Sequence, residues 1–203
     1  MLIEINPYNI DKRLLKQVVD VLRNGGIIIY PTDSVYAMGC DLKNRRALEK
    51  LAKLKGIKLC QANFSIICYD LSNISEYTKN FDRSIFKLLK HNLPGPFTFI
   101  LNATNEIPKL FDSNKKTIGI RVPDHDLIRE IVKELGNPIV TTSIHDEDEI
   151  LEYTTDPYQI YEKYDGKVDL IIDGGFGNLY ASTVVDCTED EPIIIREGIG
   201  ELQ

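Results

Sequence analysis

The sequence predicts an α/β fold: a twisted sheet, mixed to mostly parallel, with helices packed on it, in a single domain spanning 1–203. Two observations carry this. Short β-branched apolar runs alternate along the chain with stretches whose apolar residues recur every three or four positions, the periods of strand and helix respectively. Gly and Pro breaks such as Gly25-Gly26 and Pro94-Gly95-Pro96 set the runs apart, and such alternation favours a mixed or mostly parallel sheet with helices packed on it.

The elements follow in order. Leu14, Leu15, Val18, Val19 and Leu22 share one face of a helix that stops at Gly25-Gly26, and 27–30 (IIIY) is the buried strand after it. Past Pro31 a second helix starts near Asn44, with Ala47, Leu48, Leu51 and Leu54 inward and Arg46, Lys50 and Lys53 on another face. Residues 64–68 read as a strand, 81–90 as a helix, and 97–101 as a strand entered through Pro94-Gly95-Pro96. Residues 118–122 form the next strand. Asp124 is then placed to cap a helix whose apolar face is Leu127, Ile128, Ile131, Val132 and Leu135, closed by Gly136. A strand at 138–142, a short helix at 157–164, a strand at 168–173 and two β-rich runs, 182–186 and 192–196, complete the pattern.

Composition narrows the class. With 203 residues, 43% hydrophobic and 27% charged, the chain can bury one substantial core and is neither disordered nor a rod. No window approaches about 18 uninterrupted apolar residues, and the first residues carry no basic start with an apolar core, so no membrane span or secretion signal is expected. Cys40, Cys60, Cys68 and Cys187 have neither metal-site nor scaffold spacing, which fits a reducing cytoplasmic setting and small buried thiols. The net charge of −7 hides an asymmetry: residues 1–133 hold 21 Lys/Arg against 14 Asp/Glu, and residues 134–203 hold 3 against 17. A basic surface is therefore available on an acidic protein, densest at Lys43, Arg45, Arg46, Lys50, Lys53, Lys55 and Lys58. Asp146, Glu147, Asp148 and Glu149 read as a solvated acidic loop.

In an open α/β sheet ligands collect at strand ends, so polar residues directly after apolar runs are the informative ones. Four such places occur. Tyr30-Pro31-Thr32-Asp33-Ser34-Val35-Tyr36 sets hydroxyls and a carboxylate at a proline-fixed turn, equally readable as a local turn that satisfies its own backbone. Arg121 ends a strand of Ile and Val; its fork matches a carboxylate or phosphate ligand, or else a structural carboxylate. Thr141-Thr142-Ser143-Ile144-His145 and Ser182-Thr183, with Arg196-Glu197-Gly198, add hydroxyls and a second guanidinium suited to an anion. Gly174-Gly175-Phe176-Gly177 lacks the spacing of a phosphate loop and reads as a turn. His91, His125 and His145 have no metal-ligand spacing, and no nucleophile elbow is present.

Taken in order, IIIYPTDSVYAMGCD (27–41), LPGPFTFIL (93–101), TIGIRVPDH (117–125), TTS (141–143), STVVD (182–186) and IIIREGIG (193–200) resemble the YrdC/YciO family nearly end to end. The resemblance implies a twisted α/β sheet around a concave, positively charged cavity. In the synthase branch it implies the joining of ATP, L-threonine and bicarbonate into threonylcarbamoyl-adenylate with release of pyrophosphate, for tRNA adenosine modification. Magnesium would assist at the ATP without protein ligands. By motif, Thr32, Tyr36 and Arg121 would hold threonine, and Lys55, Ser143, Ser182 and Arg196 would face the nucleotide, with Lys55 and Ser143 catalytic. Two positions depart from the synthases: Ile57 stands where their Lys-x-Arg motif has arginine, and Ser143-Ile144-His145 where they have Ser-Ala-Asn. Residues 63–72 (NFSIICYDLS) look more like the YciO branch, whose alternative role is binding of a nucleotide, double-stranded RNA or tRNA without synthesis.

Overall fold

A computed structural model describes residues 1–111, 114–144, 155–189 and 191–203. His145 and the acidic run Asp146–Glu149 lie outside the described residues. Ten strands appear among the described residues: β1 (Leu2–Glu4), β2 (Ile28–Tyr30), β3 (Ala37–Asp41), β4 (Ser65–Ile67), β5 (Phe97–Asn102), β6 (Thr117–Arg121), β7 (Ile139–Ser143), β8 (Leu170–Asp173), β9 (Thr183–Asp186) and β10 (Ile193–Arg196). The helices are α1 (Lys12–Arg23), α2 (Arg45–Leu54), α3 (Arg83–Asn92), α4 (Glu106–Phe111), α5 (Asp126–Leu135) and α6 (Pro157–Tyr164). All strands join one sheet in the order β1-β8-β2-β3-β7-β4-β6-β5-β9-β10.

The sheet is evenly mixed rather than mostly parallel. β1–β8, β8–β2, β4–β6 and β5–β9 are parallel, and the remaining neighbours are antiparallel. The reason lies after β2. Only 31–36 separate it from β3, too few for the crossover a parallel pair needs, so the chain turns back on itself. β7 then inserts antiparallel to both β3 and β4.

Uniformly apolar strands are explained by cover on both faces. Ile28, Tyr30, Ile67, Ile139, Leu170 and Ile172 face Leu15, Val18, Val19 and Leu22 of α1 and Leu127, Ile128 and Ile131 of α5. Ile29, Met38, Cys40, Ile66, Val140 and Ile171 face a second cluster holding Leu48 and Leu51 of α2, Leu89 of α3, Phe111 of α4 and Ile160 of α6. No described helix is long and apolar enough to cross a membrane.

Three elements escape the sequence pattern: β1, which is short and at the edge; α4, only six residues long; and β3. β3 contains Gly39, which by itself reads as a break. Here the glycine is needed by packing, since a Cβ would collide with the Val140 carbonyl and crowd the Tyr30 hydroxyl. The predicted cap of α5 also moves by one residue: His125 occupies the cap position, and Asp124 instead donates its backbone N–H to Asp33 Oδ2 at 2.8 Å. Gly136 closes α5 with φ of 85°, the left-handed conformation expected of it.

Candidate active site

The loop from Pro31 to Tyr36 is the first wall. It leaves β2 and is folded by its own hydroxyls: Thr32 Oγ1 donates to the Val35 carbonyl at 2.8 Å, accepts from the Ser34 N–H at 3.0 Å and meets Ser34 Oγ at 3.1 Å. Thr32 is buried, so both readings of this turn, local satisfaction and site wall, apply to the same residue. Tyr36 is fully buried, and its hydroxyl clamps the β8–β9 connection by donating to the Gly175 carbonyl at 2.7 Å and accepting from the Gly174 N–H at 3.2 Å. Asn178 ties the same connection to the loop through its N–H on the Ser34 carbonyl and its amide on the Asp33 carbonyl at 3.1 Å. The Gly174–Gly177 turn is thus part of the wall.

Arg121 is the buried charge of the site. One terminal nitrogen, Nη2, donates to Asp33 Oδ1 at 3.2 Å and to Ser34 Oγ at 3.0 Å, while Nε is buried and meets no acceptor. The side chains of Arg121 and Asp33 are only 8% and 7% exposed, so each ion depends on the other. Burial raises the Asp33 carboxyl above its usual value, and Arg121 and the Asp124 N–H oppose that shift. Strand register sets Arg121 level with Ile67, which in turn pairs with Ile139, at the end of the sheet away from Ser143 and Ala37. Asp33 and Ser34 reach it only because the loop folds back across the sheet. The site therefore does not stand beyond one row of strand ends.

Ser182 and Arg196 form the neighbouring group. Arg196 grips the Ser182 carbonyl through Nε at 3.2 Å and Nη2 at 2.8 Å and touches Ser182 Oγ at 3.3 Å; that hydroxyl in turn meets Thr98 Oγ1 at 2.9 Å. Burial and then the positive charge of Arg121 pull the Arg196 pKa down. Lys55 and Ser143 meet on their own, Lys55 Nζ donating to the Ser143 carbonyl at 3.3 Å where the end of α2 approaches the end of β7. This pair adjoins the loop through β3, since Ser143 pairs with Ala37 and the Ile144 N–H reaches the Tyr36 carbonyl. No bond joins Lys55 to the two arginines among the described residues.

Comparisons with known proteins identify the family. The family described as telomere recombination, Sua5/YciO/YrdC, matches residues 20–198. An uncharacterized protein of Haemophilus influenzae is 42% identical over 200 residues, covering 97% of this chain and 94% of that one. The chain belongs to the Sua5/YciO/YrdC family. Within it, Escherichia coli YciO, itself uncharacterized, is 39% identical over 201 residues, covering 98% of this chain and 96% of that one. Its crystal structure superposes with a TM-score of 0.90 at 38% identity, covering 100% of this chain and 98% of that one. The Sua5 of P. abyssi complexed with L-threonine shares the fold at a TM-score of 0.87 and 24% identity, and this chain, 98% of it matched, spans 57% of that longer one.

Every residue expected from the family's motifs lies in one of the groups above, although Thr32 and Tyr36 direct their hydroxyls inward to the protein. Thr98 and Asn178 join these groups without having been singled out, and Asp33, read only as the carboxylate of its turn, proves to be the partner of Arg121. Asp33 had a legible signal, a carboxylate between two apolar runs, which requires a cation partner if buried. Thr98 and Asn178 had none, because both act by long-range contact.

Proposed function

We propose that this family member is an L-threonylcarbamoyladenylate synthase. The observation that carries the reading is Arg121: a buried guanidinium with an unpaired Nε, whose charge is felt by Arg196 and which is balanced among the described residues by one carboxylate, Asp33. A buried cation with an unused donor suits an anionic ligand, and carboxylate and phosphate are what the guanidinium fork matches. L-Threonine is the carboxylate placed here by likeness to the family's synthases.

In this reading the threonine amine attacks the carbon of bicarbonate and water leaves, giving a carbamate. A carbamate oxygen then attacks the α-phosphorus of ATP, and the bond to the pyrophosphate oxygen breaks. Arg121 holds the threonine carboxylate. Arg196, Lys55 and the hydroxyls of Ser143 and Ser182 face the phosphates and neutralise charge as it shifts to the leaving group. Thr32 and Tyr36 shape the wall around the amino acid. ATP enters as its magnesium complex. Lys55, Arg121 and Arg196 are cations and offer a divalent ion no ligands, so magnesium would come with ATP and help neutralise the charge on its phosphates.

The test is incubation with ATP, L-threonine, bicarbonate and magnesium, with mass spectrometry for threonylcarbamoyl-adenylate and a pyrophosphate assay. Product is expected from the native protein and none from Arg121→Ala; absence of product from folded native protein that binds ATP overturns the reading. A second reading, recognition of tRNA or double-stranded RNA, is favoured by the exposed basic side chains Lys43, Arg46, Lys50, Lys53 and Lys58 on and beside α2, with Ile57 exposed among them. RNA affinity that falls steeply with salt is its mark.

A further inference from the structure

We infer that Asp33 is the positioning residue of this site: by holding one terminal nitrogen of Arg121 it fixes the orientation in which that guanidinium meets the ligand carboxylate. The inference rests on the reading of Arg121 as the carboxylate anchor and adds what sets its direction. Asp33 divides its two oxygens. Oδ1 takes Arg121 Nη2, and Oδ2 takes the backbone N–H of Asp124, three residues further along the chain from the arginine it steers. The same carboxylate therefore fixes both the guanidinium and the backbone that follows it. Asp33 is itself held from the far side, since Asn178 donates to its carbonyl.

The chemistry is specific to a carboxylate. A guanidinium is planar, so fixing Nη2 on Asp33 Oδ1 and Ser34 Oγ leaves rotation of the plane little freedom and Nε committed to one direction. Ser34 alone could not do this, because a hydroxyl rotates and brings no charge to a buried cation. An asparagine at this position keeps the shape but offers one acceptor oxygen. Its NH2 would face either Arg121 or the Asp124 N–H, donor against donor. The charges that face Asp33 from its surroundings are Arg121, Asp124 and His125.

The experiment measures binding of L-threonine and, separately, of a non-hydrolysable ATP analogue to the full-length native protein, Asp33→Asn and Ser34→Ala by calorimetry. It also follows the 15N Nε–H resonance of Arg121 during titration with L-threonine and with acetate as a bare carboxylate. Asp33→Asn is expected to weaken threonine about tenfold, the equivalent of about 1.4 kcal/mol, with nucleotide affinity unchanged within about twofold, a split that a general loss of structure does not produce. Ser34→Ala, which keeps the charge, is expected to weaken threonine less. The Arg121 Nε–H resonance should move with either carboxylate in the native protein and stay still in Asp33→Asn. Threonine affinity equal to or above native in folded Asp33→Asn overturns the inference. Should that variant not fold, a native Nε–H resonance that neither carboxylate moves overturns it too. If threonine fails to bind the native protein but acetate moves Nε–H in it and not in Asp33→Asn, the synthase reading falls and the positioning role stands.

Discussion

His125 shows how a single side chain carries the cost of building this site. Its Nδ1 is buried with no partner, and burial holds the imidazole below its usual value against the upward pull of Asp33, Asp126 and Asp124. The folded protein then takes up the proton less readily than the unfolded chain. His125 therefore costs nothing above the ordinary histidine value of 6.5 and destabilises increasingly as pH falls through it. In His125→Gln the loss of urea stability between about pH 7.5 and about pH 5.5 is expected to be smaller than in the native protein; an equal loss in both would show that His125 does not titrate in this way. Asp33 acts in the opposite sense and lower on the pH scale, because its carboxyl is raised rather than lowered.

Elements are held by backbone approach as much as by apolar area, and β3 is the clearest instance. It lies between β2 and β7, and its pairing with β7 runs the whole strand, Ala37 with Ser143 through Asp41 with Ile139. Alanine at Gly39 would drive a methyl into the Val140 carbonyl, so either the β3–β7 ladder spreads or the strand shifts. Gly39→Ala is expected to cost about 3 kcal/mol, the upper end of the usual range for overpacked cores, read as a fall in the urea midpoint. The same alanine at Gly136, where no atom lies within reach of a Cβ, meets only the left-handed backbone, and its smaller cost of about 1 kcal/mol serves as the comparison.

At the scale of the whole molecule the three-layer build decides which groups solvent can reach. Cys40 and Cys68 lie in the cluster beneath α2 and α3, and burial pushes both thiols up, Cys68 to about 12; Cys187 is held up to about 11. Cys60, exposed after α2, is the exception among the four. An alkylating reagent at neutral pH is expected to modify one thiol in the folded protein and four in urea, with mass spectrometry placing the first on Cys60. Rapid labelling of Cys40 in native conditions would show that the layers open more readily than their burial implies.

Much of this was legible in the chain itself. Helices α1, α2 and α5 were readable because their apolar faces repeat over three turns, and β5, β6 and β8 because short β-branched or aromatic runs bounded by turn residues need no partner to be recognised. The candidate residues Arg121, Ser182 and Arg196 could be found because a guanidinium or hydroxyl at the end of an apolar run asks for an anion or an acid. β3 was hidden because its glycine reads as a break until Val140 is set against it. Register was hidden as well, since pairing between distant strands leaves no local trace, and register is what puts Arg121 and Ser143 at opposite ends of the sheet. The residue types, their order and the chemistry they can perform were thus determined by the sequence alone. That Asp33 reaches Arg121, and that Tyr36 spends its hydroxyl on Gly175, was decided only by the folding of one loop back across the sheet, a contact between residues 88 and 139 positions apart.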